Sequence, residues 1–221
     1  METAQAPGPG PRWLDAALFS ARLSWRALGS RLASAYFSGL LPVACGWAFV
    51  AHNQLAPRHV ALGAVLGGGV GVVLLFSQLG ETLAARRPAW PWSRSLPWGA
   101  PARVMADAAF LALHALPLLL LAMAIHPMAL ALFALTPLLA VRAAGAIRRA
   151  PERRTGASGE ILMEGLPAAA ATALLPWVAL PLLALTPFAV RWAAERERRQ
   201  KVSRWLELHH LAVGDSQSWS A

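Results

Sequence analysis

Four stretches of this chain contain no Asp, Glu, Lys or Arg: residues 33–50, 60–79, 108–141 and 165–190. The longest, 108–141, reads AAFLALHALPLLLLAMAIHPMALALFALTPLLAV. As a single helix it would extend about 51 Å, well past a hydrocarbon core of ~30 Å. Pro127 disfavours helical geometry at His126. The stretch therefore predicts a hairpin of two membrane helices, with spans near 107–125 and 128–143. Two spans precede it, over 33–50 and 60–79, joined by the short segment HNQLAPRH. The second holds Gly67, Gly68, Gly69 and Gly71, which permit either close helix contact or a kink. A buried hairpin in a large soluble domain would explain one such stretch but not four.

The last apolar region is ambiguous. It fits one tilted span, or two short limbs turned around Pro176 or Pro181. One span gives five in total and places the basic residues after Arg191 opposite the other basic loops. Two limbs, beginning near Ile161, give six and return the tail to the same side, as the positive-inside rule asks. The expected fold is all-α: a polytopic integral membrane protein of six segments, five being the alternative, with one segment re-entrant if its limbs are too short to cross.

Upstream, residues 1–11 are Pro- and Gly-rich and read as a disordered lead without a signal peptide. Residues 12–32 predict an amphipathic helix lying in the membrane interface. Leu14, Leu18, Trp25, Leu28 and Leu32 share one face, and Arg12, Arg22, Arg26 and Arg31 reach water or phosphate. A plain extension of the first span is the alternative. Residues 191–213 predict a terminal helix, before a polar tail. The domain boundaries are 1–32 for the lead and interfacial helix, 33–193 for the membrane domain, and 194–221 for a cytoplasmic helix and tail.

Composition agrees with this pattern. The chain is 57% apolar and 14% charged, with mean hydropathy +0.46. Its net charge of +9 sits in Arg clusters between apolar stretches, which the positive-inside rule explains without nucleic acid. The lone Cys45 excludes an intramolecular disulfide and any multi-cysteine metal site. There is no Walker A sequence, HExxH zinc motif or nucleophile elbow. No catalytic residue, cofactor or metal is expected.

Polar groups within or beside the spans are few. Asp107 lies one helical turn after Arg103 and predicts a salt bridge. His114 reads as a polar packing group. It is about 18 Å along a helix from His126, too far for both to hold one ion from a single span. His52, His59 and His126 form a possible outer cluster, while His209 and His210 belong to the tail. Glu164 opens the last apolar region, one turn after Glu160, as a boundary carboxylate or a group facing a cavity.

The interval from 80 to 106 contains three Trp and four Pro residues. It reads Gly80-Glu81-Thr82-Leu83, then Leu96-Pro97-Trp98-Gly99, then Arg103. With a preceding amphipathic helix and two spans, this order resembles permeases of the second class of ATP-binding-cassette exporters. Their loop between the second and third spans often carries R-E-x-G-T and, after a short interval, L-P-L-S followed by basic residues. Here Gln78 and Leu79 stand before Gly80 in place of the Arg-Glu pair, the interval is longer, and the end of the chain is shorter than in that family. The resemblance spans residues 12–145. It implies a loop pressed against a separate ATPase subunit through Glu81, Arg86, Arg87, Trp92, Arg94, Leu96, Pro97, Trp98 and Arg103. It also implies pairing with a second permease, identical or different, in a bacterial inner membrane. The alternative is a non-catalytic scaffold or anchor in a larger membrane complex.

Overall fold

The computed structural model describes residues 18, 21–22, 24–26, 28–53, 56–86, 99–149 and 156–199. Every regular element among them is helical. Helix α1 is Arg31–Asn53, α2 Pro57–Arg86, α3 Ala100–Ile125 and α4 Leu130–Arg149. Helix α5 is Ala157–Leu174, α6 Ala179–Ala184 and α7 Thr186–Arg199. Among the described residues, four helices are long and apolar enough to cross a membrane: α1, α2, α3, and α4 with the single turn before it. A fifth is reached if residues 176–184 and α7, bent by 50° at their junction, count as one span.

Helix α2 is the centre of the bundle, packing against α1, α3, α4 and α5. Of its spanning window 56% is buried, against 17% for α1, which rests on the outside of α2. Glycines make the α1–α2 contact possible. A Cβ on Gly67 would lie 2.9 Å from the Pro42 carbonyl oxygen, and one on Gly46 would lie 3.1 Å from that of Gly63. Gly71 meets the Gly39 backbone in the same way. Gly63, Gly67 and Gly71 recur every four residues and so share one face. Gly68 and Gly69 serve other faces, against Ala122, Leu132 and Ala169. Close approach, rather than a break, is what this run provides: α2 is one helix of 30 residues.

The α3–α4 hairpin turns at the expected place. His126 is extended (φ −155°, ψ 133°), and its ring accepts a hydrogen bond from the Met128 amide at 3.2 Å. The last region turns at Leu175-Pro176. Helix α5 leaves the end of α4 and α7 comes back to it, because Glu160 pairs with Arg149 while Glu197 reaches Arg103. The chain thus makes a hairpin here as well.

Several boundaries differ from expectation. Helix α2 runs to Arg86 and α3 starts at Ala100, so Gly80-Glu81-Thr82-Leu83 is helical and the connection shrinks to 87–99. Helix α4 likewise runs to Arg149 and α5 begins at Ala157. Backbone hydrogen bonding carries a helix past the last apolar residue into polar sequence. Helix α7 passes through the expected domain boundary at 193/194. Arg87, Trp92, Arg94, Leu96, Pro97 and Trp98 lie outside the described residues, as do His209, His210 and residues 1–17.

Before α1, the described residues from Leu18 to Leu28 are helical, then the chain turns at Gly29 and Ser30. Gly29 has φ 49°, a conformation natural to glycine at a helix end. A straight extension of α1 is thereby excluded. The apolar face of this segment is divided between the bundle and its surroundings. Ser24 and Leu28 are buried and Ala21 packs on the core, while Leu18 and Trp25 are exposed.

Candidate functional site

Most of the described charged side chains gather at one end of the bundle, where α3 starts, α4 ends, α5 starts and α7 ends; Arg58, at the start of α2, is an exception. Helix periodicity makes this possible. Arg142 and Arg149 are seven residues apart on α4, and Glu160 and Glu164 four apart on α5, so each pair shares a face. Arg149 then pairs with Glu160. Arg142 grips Glu164 with two bonds, Nε to Oε2 at 2.6 Å and Nη2 to Oε1 at 2.5 Å.

Deeper in the same end, Arg148 donates to Asp107 Oδ2 at 2.5 Å and to the Arg103 carbonyl oxygen at 2.9 Å. Arg103 donates to Glu197 Oε1 at 2.8 Å, and Arg148 Nη1 lies 3.6 Å from Glu197 Oε2. Both members of the Arg103–Asp107 pair expected from its spacing thus sit in a network across α3, α4 and α7. Its members are almost sealed from solvent, with Asp107 1% exposed. Charges at such burial demand partners and hydrogen bonds; the network pairs each charge, although Arg148 Nη1 and Glu197 Oε2 stay 3.6 Å apart, beyond hydrogen-bond length.

Trp192 on α7 adds an aromatic surface. Arg196 lies 3.8 Å from its ring centroid, Arg142 4.4 Å and Arg149 5.7 Å. These are cation–π distances. A groove opens beside this group between α4, α5 and α7.

His114 is a packed side chain. Its Nδ1 lies 2.8 Å from the Phe110 carbonyl oxygen and its ring 4.3 Å from that of Phe110. Tyr36 donates to the His114 carbonyl oxygen at 3.1 Å, pinning α1 to α3. His52, His59 and His126 are not brought together: among the described residues no three His, Cys, Asp or Glu side chains could hold a metal ion. Glu81 is exposed at the end of α2, and Arg86 closes that helix. Arg103 sits in the ion network rather than on a free loop. Sequence reasoning missed Arg142, Arg148 and Glu197. The spacings that put Arg142 and Arg149 on one face and Glu160 and Glu164 on another were the signal for two of the pairs. Nothing local points to Glu197.

Away from this end two buried hydroxyls are absorbed by their own helices, whereas Thr186 Oγ1 is buried with no hydrogen-bond partner. Thr136 donates to the Leu132 carbonyl oxygen at 2.6 Å and Thr172 to that of Ala168 at 2.9 Å. The surface around the spans exposes Phe37, Leu41, Phe49, Leu113, Leu120 and Leu180. An apolar girdle of this extent belongs against lipid. Compared with families of known proteins, with curated proteins and with solved structures, the chain matches none.

Proposed function

We propose that this chain is the membrane-spanning subunit of an ATP-driven exporter in a bacterial inner membrane, driven by a separate ATPase subunit. One observation carries the reading. The segment resembling an exporter coupling loop, Gly80 to Arg103, begins in the last turns of α2, and α2 is the helix against which α1, α3, α4 and α5 all pack. A push on that connection enters the bundle at its centre. Glu81 on the exposed end of α2, with Arg86, Arg87, Trp92, Arg94, Leu96, Pro97 and Trp98, forms the contact surface. Arg103 passes the load to α4 and α7 through Glu197. The packed, apolar interior of a single copy favours a cargo path made between two permease copies, identical or different.

In this reading the chain makes six passes, with α5 as the fifth limb and α6–α7 as the sixth. The Arg-rich end faces the cytoplasm. The segment from Leu18 to Leu28 lies in the interface, with Leu18 and Trp25 turned outward into lipid.

The test is purification in mild detergent, identification of the proteins that come with the chain, and measurement of nucleotide hydrolysis. The expected result is a stoichiometric ATPase whose turnover falls when Glu81 or residues 94–98 are altered, with assembly intact. A stable complex without an ATPase would establish the second reading, a non-catalytic scaffold or anchor subunit. The apolar core with no polar route among the described residues is the observation that favours it.

A further inference from the structure

The stretch LALFALTP at 130–137 returns as LPLLALTP at 180–187. Both copies follow a single turn opened by a proline, Pro127 in one and Pro176 in the other. Their shapes differ. In α4 the helix runs through Leu135-Thr136-Pro137 without a break, and Thr136 Oγ1 donates to the Leu132 carbonyl oxygen four residues back. In the second copy the helix breaks at Leu185 and α6 meets α7 at 50°. The matching acceptor, the Leu182 carbonyl oxygen, takes the Leu185 amide at 3.2 Å, and Thr186 Oγ1 is left buried without a partner. Thr82 and Thr172 also donate four residues back, so Thr186 differs from the other described threonines. A buried hydroxyl left unpaired costs free energy that pairing would recover.

The same Ala-Leu-Thr-Pro therefore accepts both an unbroken and a broken helix. Proline removes one amide donor in each copy, which permits a bend without dictating it. Packing decides. The span containing α4 is 61% buried, with Leu132 and Leu135 in the core. Helix α6 buries only Ala179, the turn 176–178 that ties it to α5 buries no residue, and Trp177, Leu180 and Leu183 are exposed. Helix α7 is held: Ala193 and Ala194 are buried, and Glu197 pairs with Arg103.

We propose that Leu185-Thr186-Pro187 is a hinge on which α6 swings between the bent position and one in line with α7, where Thr186 donates to the Leu182 carbonyl oxygen as Thr136 does to that of Leu132. Contact of α6 with α4 favours the bent state, and pairing the hydroxyl favours the in-line state. The arm from Leu185 to Trp177 is about 12 Å long, so a turn through 50° carries its tip about 10 Å. Leu185 lines the groove between α4, α5 and α7 together with Leu138 and Phe188, so the shape of that groove follows the hinge.

The hinge does not rest on the export reading, and its test uses no nucleotide. In a Cys45→Ser background, spin labels are placed on Trp177→Cys and, in turn, on Phe49→Cys in α1 or Leu120→Cys in α3, all exposed positions. The chain is reconstituted in lipid nanodiscs with an excess of unlabelled chain, so that distances within one copy are read by pulsed electron paramagnetic resonance. Two distance components are expected. Thr186→Val removes the hydroxyl at nearly constant volume and should lower the share of the in-line component about fivefold, the worth of one hydrogen bond. Thr186→Ser keeps the hydroxyl and should keep both components. Pro187→Ala restores the missing amide donor and should enrich the in-line component, which reveals that state even where it is scarce in the parent. One unchanged component in both the parent and Pro187→Ala, or a Thr186→Val ratio equal to that of the parent, would overturn the proposal.

Discussion

Gly71 and Gly159 are both helical glycines with opposite demands. A Cβ on Gly71 would run into the Gly39 backbone, whereas one on Gly159 meets nothing within 4 Å. Gly71→Val should therefore force α1 off α2 and destabilise the fold by about 1–3 kcal/mol, as overpacking does. Gly159→Ala should be neutral or stabilising by up to about 1 kcal/mol, since Ala is the better helix former. Thermal unfolding in detergent followed by tryptophan fluorescence checks both, and a tolerated Gly71→Val would refute the close contact. Asp107 offers a second test. Asp107→Ala strands the Arg148 guanidinium in a buried site and should cost about 3–5 kcal/mol. The Asp107→Leu/Arg148→Met pair should recover most of that loss, because no buried charge is left alone. A double variant as unstable as Asp107→Ala would show that the rest of the network, not this pair, holds the end together.

At the level of elements, the apolar runs foretold the first four long helices and the His126-Pro127 turn, but left the last region open and did not show where the helices stop. Gly80 to Arg86 and Arg142 to Arg149 read as loop because they are polar, yet their backbones continue the helix. The ends of the chain's charge pairs were legible only in part. Spacing puts Arg142 and Arg149 on one face, but which helix carries the matching face is decided by packing. Glu197 reaches Arg103 from 94 residues away, a distance no local pattern bridges. The returning limb α6–α7 carries its own prediction. In a Cys45→Ser background, a cysteine at Ala56 should react with an impermeant maleimide in intact cells. Cysteines at Gly156 and Arg198 should react only after permeabilisation. Labelling of Arg198→Cys from outside would favour five passes over the six proposed.

For the whole molecule, the class of protein was plain in the sequence, whereas its functional end was not. The candidate groove and the ion network are built from α3, α4, α5 and α7 together, and no single stretch announces them. The core shows a further property. Phe76, Leu79, Leu111, Leu118, Leu132 and Leu135 fill it at 1% exposure or less, and Thr136 and Thr172 spend their hydroxyls on their own helices. Protons and ions cross a bilayer along files of water, and water needs polar partners, of which the interior formed by the described residues offers few. Sealed vesicles carrying the chain alone, at less than one copy per vesicle, should hold an imposed proton gradient as long as protein-free vesicles do. A pH-sensitive dye inside them would report any faster decay, which would mean that the helices of a single copy part to let water through.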